Sequence, residues 1–118
     1  MLVRHMPNQS IDAPIETLFA ALADPTRRAV VERLGQGPAS VSALAGDFPI
    51  ALPSFLQHLK LLESAGLVST AKQGRVRTCT LEPLALLAVE RWIIERRRET
   101  EARYDRLATY LDSQEPNA

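Results

Sequence analysis

Apolar residues recur along the chain with helical spacing, and the pattern breaks in the right places. Ile15, Leu18, Phe19 and Leu22 follow steps of three and four, the stripe of a short amphipathic helix. Asp24-Pro25 restarts the chain, because Asp caps free backbone N–H groups and Pro suits the first helical turn. A second helix is predicted from Thr26 to Leu34, with Ala29, Val30 and Leu34 inward. It stops at Gly35-Gln36-Gly37-Pro38. Ser40 is placed to cap a third helix of about two turns that buries Val41, Leu44, Ala45 and Phe48. A turn from Pro49 to Leu52 leads into a fourth helix, running from Pro53 to about Ala65 and closed by Gly66. Leu52, Phe55, Leu56, Leu59 and Leu62 are assigned to its inner face. Ser54, Gln57 and His58, with Leu61, fall on the other side.

Beyond Gly66 the period changes. Leu67 to Lys72 and Val76 to Leu81 are rich in Val, Thr and Ser and flank Gln73-Gly74, which predicts a β-hairpin. Glu82-Pro83 ends it. From Leu84 to about Leu111 there is neither Gly nor Pro, consistent with one helix of about 42 Å at 1.5 Å per residue. Apolar residues at 86, 89, 93, 104, 107 and 111 form a seam interrupted by the polar stretch Glu95 to Arg103, where pairs such as Glu99 with Arg103 support the helix. A seam without a local partner predicts a homodimer built on the first and last helices. Its interface is expected to contain Ile15, Leu18, Phe19, Val89, Trp92, Ile93, Tyr104, Leu107 and Leu111. Trp92 could instead floor a ligand pocket, but an aromatic at helical spacing is more often part of an interface.

The fold class is therefore mainly α with one β-hairpin, in a single domain over residues 12–111. The helix-turn-helix spans 40–66, the hairpin 67–81 and the dimerisation helix 84–111, with 1–11 and 112–118 as flexible tails. The 118 residues, 46% hydrophobic, are enough for one modest core. No apolar run is long enough to span a membrane and no export leader is present, which points to the cytoplasm. The single cysteine, Cys79, has no partner for an intrachain disulfide, and neither it nor His5 and His58 has metal-site spacing. No cofactor is expected. No nucleophile with a paired base, phosphate loop or carboxylate pair argues for an enzyme.

The formal net charge of zero weighs against avid, non-specific nucleic-acid binding. Its distribution changes that picture. Between Ser54 and Thr80, Lys60, Lys72, Arg75 and Arg77 stand against Glu63 alone, a local excess of +3. A helix of about 12 Å diameter fits the major groove of DNA, and a basic hairpin tip reaches phosphates. Ser54, Gln57 and His58 are the predicted reading positions, with Gln57 suited to bidentate contact with adenine, and Lys60 adjoins them. Lys72, Arg75 and Arg77 are the predicted backbone contacts, the two arginines two apart in a strand and so on one side. Arg96-Arg97-Arg98 is interleaved with Glu95, Glu99 and Glu101 and reads as a solvated face. Two rival readings are a protein-interaction module, which would not require the basic tip, and a redox-sensing repressor with a Cys79 thiolate stabilised by Arg77.

The segments ALADPTRRAVVERL (21–34), SVSALAGDF, ALPSFLQHLKLLESAGLV (51–68) and KQGRVRTCTLEP (72–83), in this order, resemble the ArsR-type winged helix-turn-helix regulators over roughly residues 12–111. The resemblance implies a homodimeric, sequence-specific transcriptional regulator, usually a repressor. Its fourth helix would read double-stranded DNA and its wing would touch flanking backbone. Carried over, the reading positions are Ser54, Gln57, His58 and Lys60, and the wing positions Lys72, Arg75 and Arg77. Metal-sensing members carry a cysteine pair in the third helix or His and acidic ligands on the last. Here Val41 to Leu44 hold no cysteine and the last helix has no His, so metal sensing does not follow. Ala51 and Leu56 stand where many members place Ser, a form similar to a non-metal-sensing branch. Any small-molecule effector stays unidentified.

Overall fold

Local chemistry starts and stops nearly every element of the computed structural model, which describes residues 14–114. Helix α1 (Ile15–Leu22) buries Leu18 and Ala21. Asp24 then caps α2 (Pro25–Leu34), its Oδ2 accepting the backbone N–H groups of Thr26 at 2.8 Å and Arg27 at 3.0 Å. Two residues, Ala39–Ser40, form strand β1. Ser40 also caps α3 (Val41–Gly46) by accepting from the Ala43 N–H at 3.1 Å, a contact typically worth about 1 kcal/mol.

Helix α4 (Leu52–Ser64) ends in a Schellman turn. Gly66 takes a positive φ of 81°, its N–H donates to the Glu63 carbonyl, and the Leu67 N–H donates to the Leu62 carbonyl. Leu62 and Leu67, the two ends of that turn, are both fully buried. The chain is thereby aimed into β2 (Val68–Gln73), which pairs antiparallel with β3 (Val76–Leu81) from Val68↔Leu81 to Gln73↔Val76. Gly74 has φ +67° and Arg75 does not share the positive sign, the pattern of a type II′ loop. Strand β1 pairs with the other edge of β3, Ala39↔Cys79 and Ser40↔Thr78, giving the order β1-β3-β2.

Helix α5 (Pro83–Gln114) is 32 residues long, about 48 Å. It begins one residue before the expected 84–111 and continues three beyond, so residues 112–114 are helical and not part of a flexible tail. The start expected at residue 12, the loose arm expected at 1–11, His5 within it, and residues 115–118 lie outside the described residues.

One core joins all the helices to the sheet, with Leu18, Val30, Leu44, Phe55, Leu62, Leu67 and Cys79 essentially inaccessible to solvent. Phe48 stacks on Phe55, ring centroids 5.6 Å apart, and ties the loop before α4 to its buried face. The mainly helical class with one hairpin is the expected one, extended by a short third strand. Several inward assignments need correction. Ala29, Val41 and Ala45 are only half-buried at the margin of the core, and Phe48, also half-buried, lies in the loop beyond the end of α3 and not in that helix. Leu52 and Leu56 are exposed, at 55% and 43%. The inner face of α4 is narrower than assigned and consists of Phe55, Leu59 and Leu62. Leu56 lies about 100° round from Phe55, which takes it out of the core and toward solvent.

Helix α5 contributes one fully buried residue, Ala85, and from Arg97 onward every described position is exposed. Packing between α1 and α5 includes an edge-to-face contact of Phe19 with Trp92 at 5.3 Å, and the Arg96 guanidinium lies 5.2 Å from the centre of the Trp92 ring. No helix among the described residues is long and apolar enough to cross a membrane.

Candidate nucleic-acid interface

The outward side of α4 carries Ser54, Leu56, Gln57 and Lys60, all exposed. Pro53 in its first turn needs no N–H partner and presets the backbone there, so the helix begins abruptly after the loop. Against this side stands the wing. A groove of about 370 Å³ runs between the starts of α3 and α4 on one side and the hairpin on the other. It is lined by Ser40, Val41, Ser42, Leu52, Leu56, Arg75, Val76 and Arg77.

Arg75 and Arg77 thus share a groove wall, although Arg75 belongs to the loop and not to the strand as expected, since β3 opens at Val76. Lys72 sits directly opposite Arg77 in the β ladder. Like charges facing each other across strands are mildly destabilising, so this arrangement is explained better by an anionic partner than by stability. Arg77 is oriented by a relay: its Nη1 donates to Thr70 Oγ1 at 3.0 Å, and Thr70 Oγ1 donates to Glu63 Oε2 at 2.7 Å. Glu63, the single acidic residue of the segment, thereby positions the wing relative to α4.

His58 has a different place from the one predicted. Its Nδ1 lies 3.0 Å from Arg27 Nη1 and 3.9 Å from Asp24 Oδ2, so the ring faces the start of α2. Arginine can only donate, so Nδ1 is the acceptor of this contact. A half-buried ring held by Arg27 is a link between helices, and the exposed outward side of α4 consists of Ser54, Leu56, Gln57 and Lys60. Asp24 is held below the usual carboxylate range. The Arg27 backbone N–H is the main cause, partial desolvation opposes it, and His58, the Thr26 N–H and the Arg27 guanidinium add to the lowering.

Arg27 and Arg28, two cations that sequence reasoning left unassigned, secure the carbonyl end of α1. Arg27 donates to the Ala21 and Ala20 carbonyls at 2.8 and 3.2 Å, and Arg28 to those of Leu22 and Ala23 at 2.9 and 3.1 Å. Positive charge at a helix C-terminus is favourable, and the signal was their place just after the first stripe ends. Cys79 is fully buried. Burial pushes its thiol up, Glu63 adds to the rise, and Arg77 opposes both without overcoming them. The arginine expected to create a thiolate is therefore outweighed.

Of the residues assigned to a subunit interface, Leu18 belongs to the core of its own protomer, with no accessible surface, because it points inward between α1 and the rest of the core. Ile15 and Val89 are half-buried against that core. Phe19, Trp92, Ile93, Tyr104, Leu107 and Leu111 are exposed, between 37% and 64%. Trp92 also borders an open groove of about 430 Å³ between α1 and α5, with Ile15, Leu84 and Leu87.

A family model described as a helix-turn-helix domain matches residues 22–71, from the end of α1 into β2. The "HTH-type transcriptional regulator Rv2034" of Mycobacterium tuberculosis is 49% identical over 71 residues, 60% of this chain and 66% of that protein, so the chain spans just under two thirds of that relative. The solved ArsR family transcriptional regulator RHA00566 is 53% identical, with a TM-score of 0.71, over 74% of this chain and 96% of the other. The chain belongs to the ArsR family. An ArsR-like transcriptional regulator from Rhodococcus sp. RHA1 superposes over 86% of this chain and 93% of its own, with a TM-score of 0.78 at 29% identity. The ArsR membership makes this protein a DNA-binding transcriptional regulator of the winged helix-turn-helix type.

Proposed function

We propose that this regulator acts as a homodimeric repressor that binds an inverted-repeat operator and blocks access of the transcription machinery. The observation that carries the reading is the joining of α4's exposed face to a wall bearing Arg75 and Arg77. Side chains on the helix meet base edges, while the wing and Lys72 neutralise phosphates. The exposed apolar residues of α1 and α5 supply the dimer contact, which sets two recognition helices about 34 Å apart, one turn of duplex. The working unit runs from about residue 12 to the end of α5, in the cytoplasm, and it carries no catalytic role. Glu63 through Thr70 holds the arginine that fixes the wing, so DNA affinity and hairpin position are coupled.

Fluorescence anisotropy with a random duplex at low salt, together with sedimentation of the free protein, tests the reading. Duplex binding by a dimer is expected. A monomer that ignores duplex overturns it in favour of a protein-interaction module, for which the basic wing has no use.

A further inference from the structure

The recognition face departs from the usual polar composition. Leu56 is 43% exposed, Leu52 55% and Val76 50%, and all three border the groove between α4 and the wing. Nothing among the described residues covers them. Exposed leucines one helical turn apart lower solubility and add little to the fold, so their presence calls for an apolar group on the ligand.

The surroundings of this patch decide what that ligand is. Arg75 and Arg77 form the opposite wall, and Lys72 faces Arg77 across the ladder. Apolar floor and cationic rim match the major groove of DNA, where the 5-methyl group of thymine is the apolar feature on the base edges and phosphates flank it on both sides. Cytosine at the same place lacks the methyl and offers an amino donor, and adenine and guanine present N7 beside an amino or carbonyl group, polar atoms that a leucine would leave desolvated.

Building on the DNA-binding reading, we propose that Leu56, supported by Leu52 and Val76, is a specificity-determining surface that reads the 5-methyl group of thymine. Gln57, the next residue on the helix, reads a neighbouring base by hydrogen bonds. The operator half-site then holds at least one thymine selected by its methyl group and not by its pairing edge.

The test first selects bound duplexes from a random library with the wild-type protein. Each thymine of the selected site is then replaced in turn by uracil, which removes the methyl and leaves base pairing intact. Affinity is read by fluorescence anisotropy. At one or two positions per half-site the uracil duplex is expected to bind about fourfold more weakly, the value of one buried methyl. Leu56→Ser is expected to bind thymine and uracil duplexes alike at those positions, and Leu56→Met to keep the preference. Because residue 56 is exposed, an unchanged thermal midpoint for Leu56→Ser confirms that the loss is one of recognition. Equal binding of thymine and uracil duplexes by the wild type overturns the proposal while leaving DNA binding intact, as does discrimination that survives in Leu56→Ser. Failure to select any duplex overturns both readings and assigns the groove to a protein partner.

Discussion

Replacing Arg75 and Arg77 together by alanine should change how DNA affinity responds to salt more than it changes anything about the fold. Both side chains are exposed on one wall of the groove, and neither lies in the core. Each phosphate neutralised adds roughly 0.9 to the slope of log affinity against log salt. With two arginines on each of two subunits, the variant's slope should be shallower by about 3.6 if all four contact phosphate. Between 50 and 200 mM salt, the wild type should then lose on the order of 150-fold more affinity than the variant does. The hydrogen bond from Arg77 to Thr70 limits the side chain's freedom without removing its charge, so Arg77→Ala alone should account for about half the change. Stability should change by no more than a few tenths of a kcal/mol, because relief of the Lys72 and Arg77 repulsion offsets loss of the exposed Arg77–Thr70 hydrogen bond. Anisotropy titrations at four or five salt concentrations measure the slope, and urea unfolding measures stability. Arg97→Ala, on the exposed length of α5, serves as the control. A slope unchanged in the double variant, or changed equally in the control, would refute the assignment of the wing to the DNA backbone.

Three further outcomes follow from the same geometry. Phe55→Ala removes a fully buried ring that stacks on Phe48, and should cost about 3–5 kcal/mol in urea unfolding, a loss comparable with the whole stability of many small domains. A cost below about 1 kcal/mol would show that the core does not depend on that ring. Asp24 has its pKa lowered in the folded state, so its ionised cap stabilises the protein above the ordinary carboxylate value of about 3.9, and this is lost as pH falls through the lower native value. Asp24→Asn keeps a capping oxygen without the titration, so thermal midpoints of the two proteins should differ at neutral pH and converge in acid. Parallel curves down to pH 2 would remove Asp24 as a source of acid sensitivity. Cys79, fully buried with its thiol pushed up, should resist a thiol reagent in the native protein and react fully in denaturant. Rapid native labelling, with loss of DNA binding that Cys79→Ser abolishes, would restore the redox reading.

Elements governed by neighbours in sequence were legible without coordinates. The Asp24-Pro25 start, the Ser40 cap, the Gly66 stop, the Gln73-Gly74 hairpin and the uninterrupted last helix each rest on contacts within a few residues, which periodicity and capping chemistry report directly. The +3 excess over Ser54 to Thr80 and the cationic wing were readable for the same reason. Tertiary structure alone decided the rest. Strand β1 is two residues long and has no period of its own. It exists because the free edge of β3 accepts it. Leu56 and His58 exchanged expected roles because the side of α4 that is covered depends on where α2, α3 and the sheet stand around it. Hydrophobicity sent Leu56 to the core, and polarity sent His58 to the groove. The packed neighbours turn Leu56 out to the groove and draw His58 to Arg27. Leu18 and Cys79 follow the same rule: composition allowed each an outward role, and the close packing of one shared core leaves neither any surface.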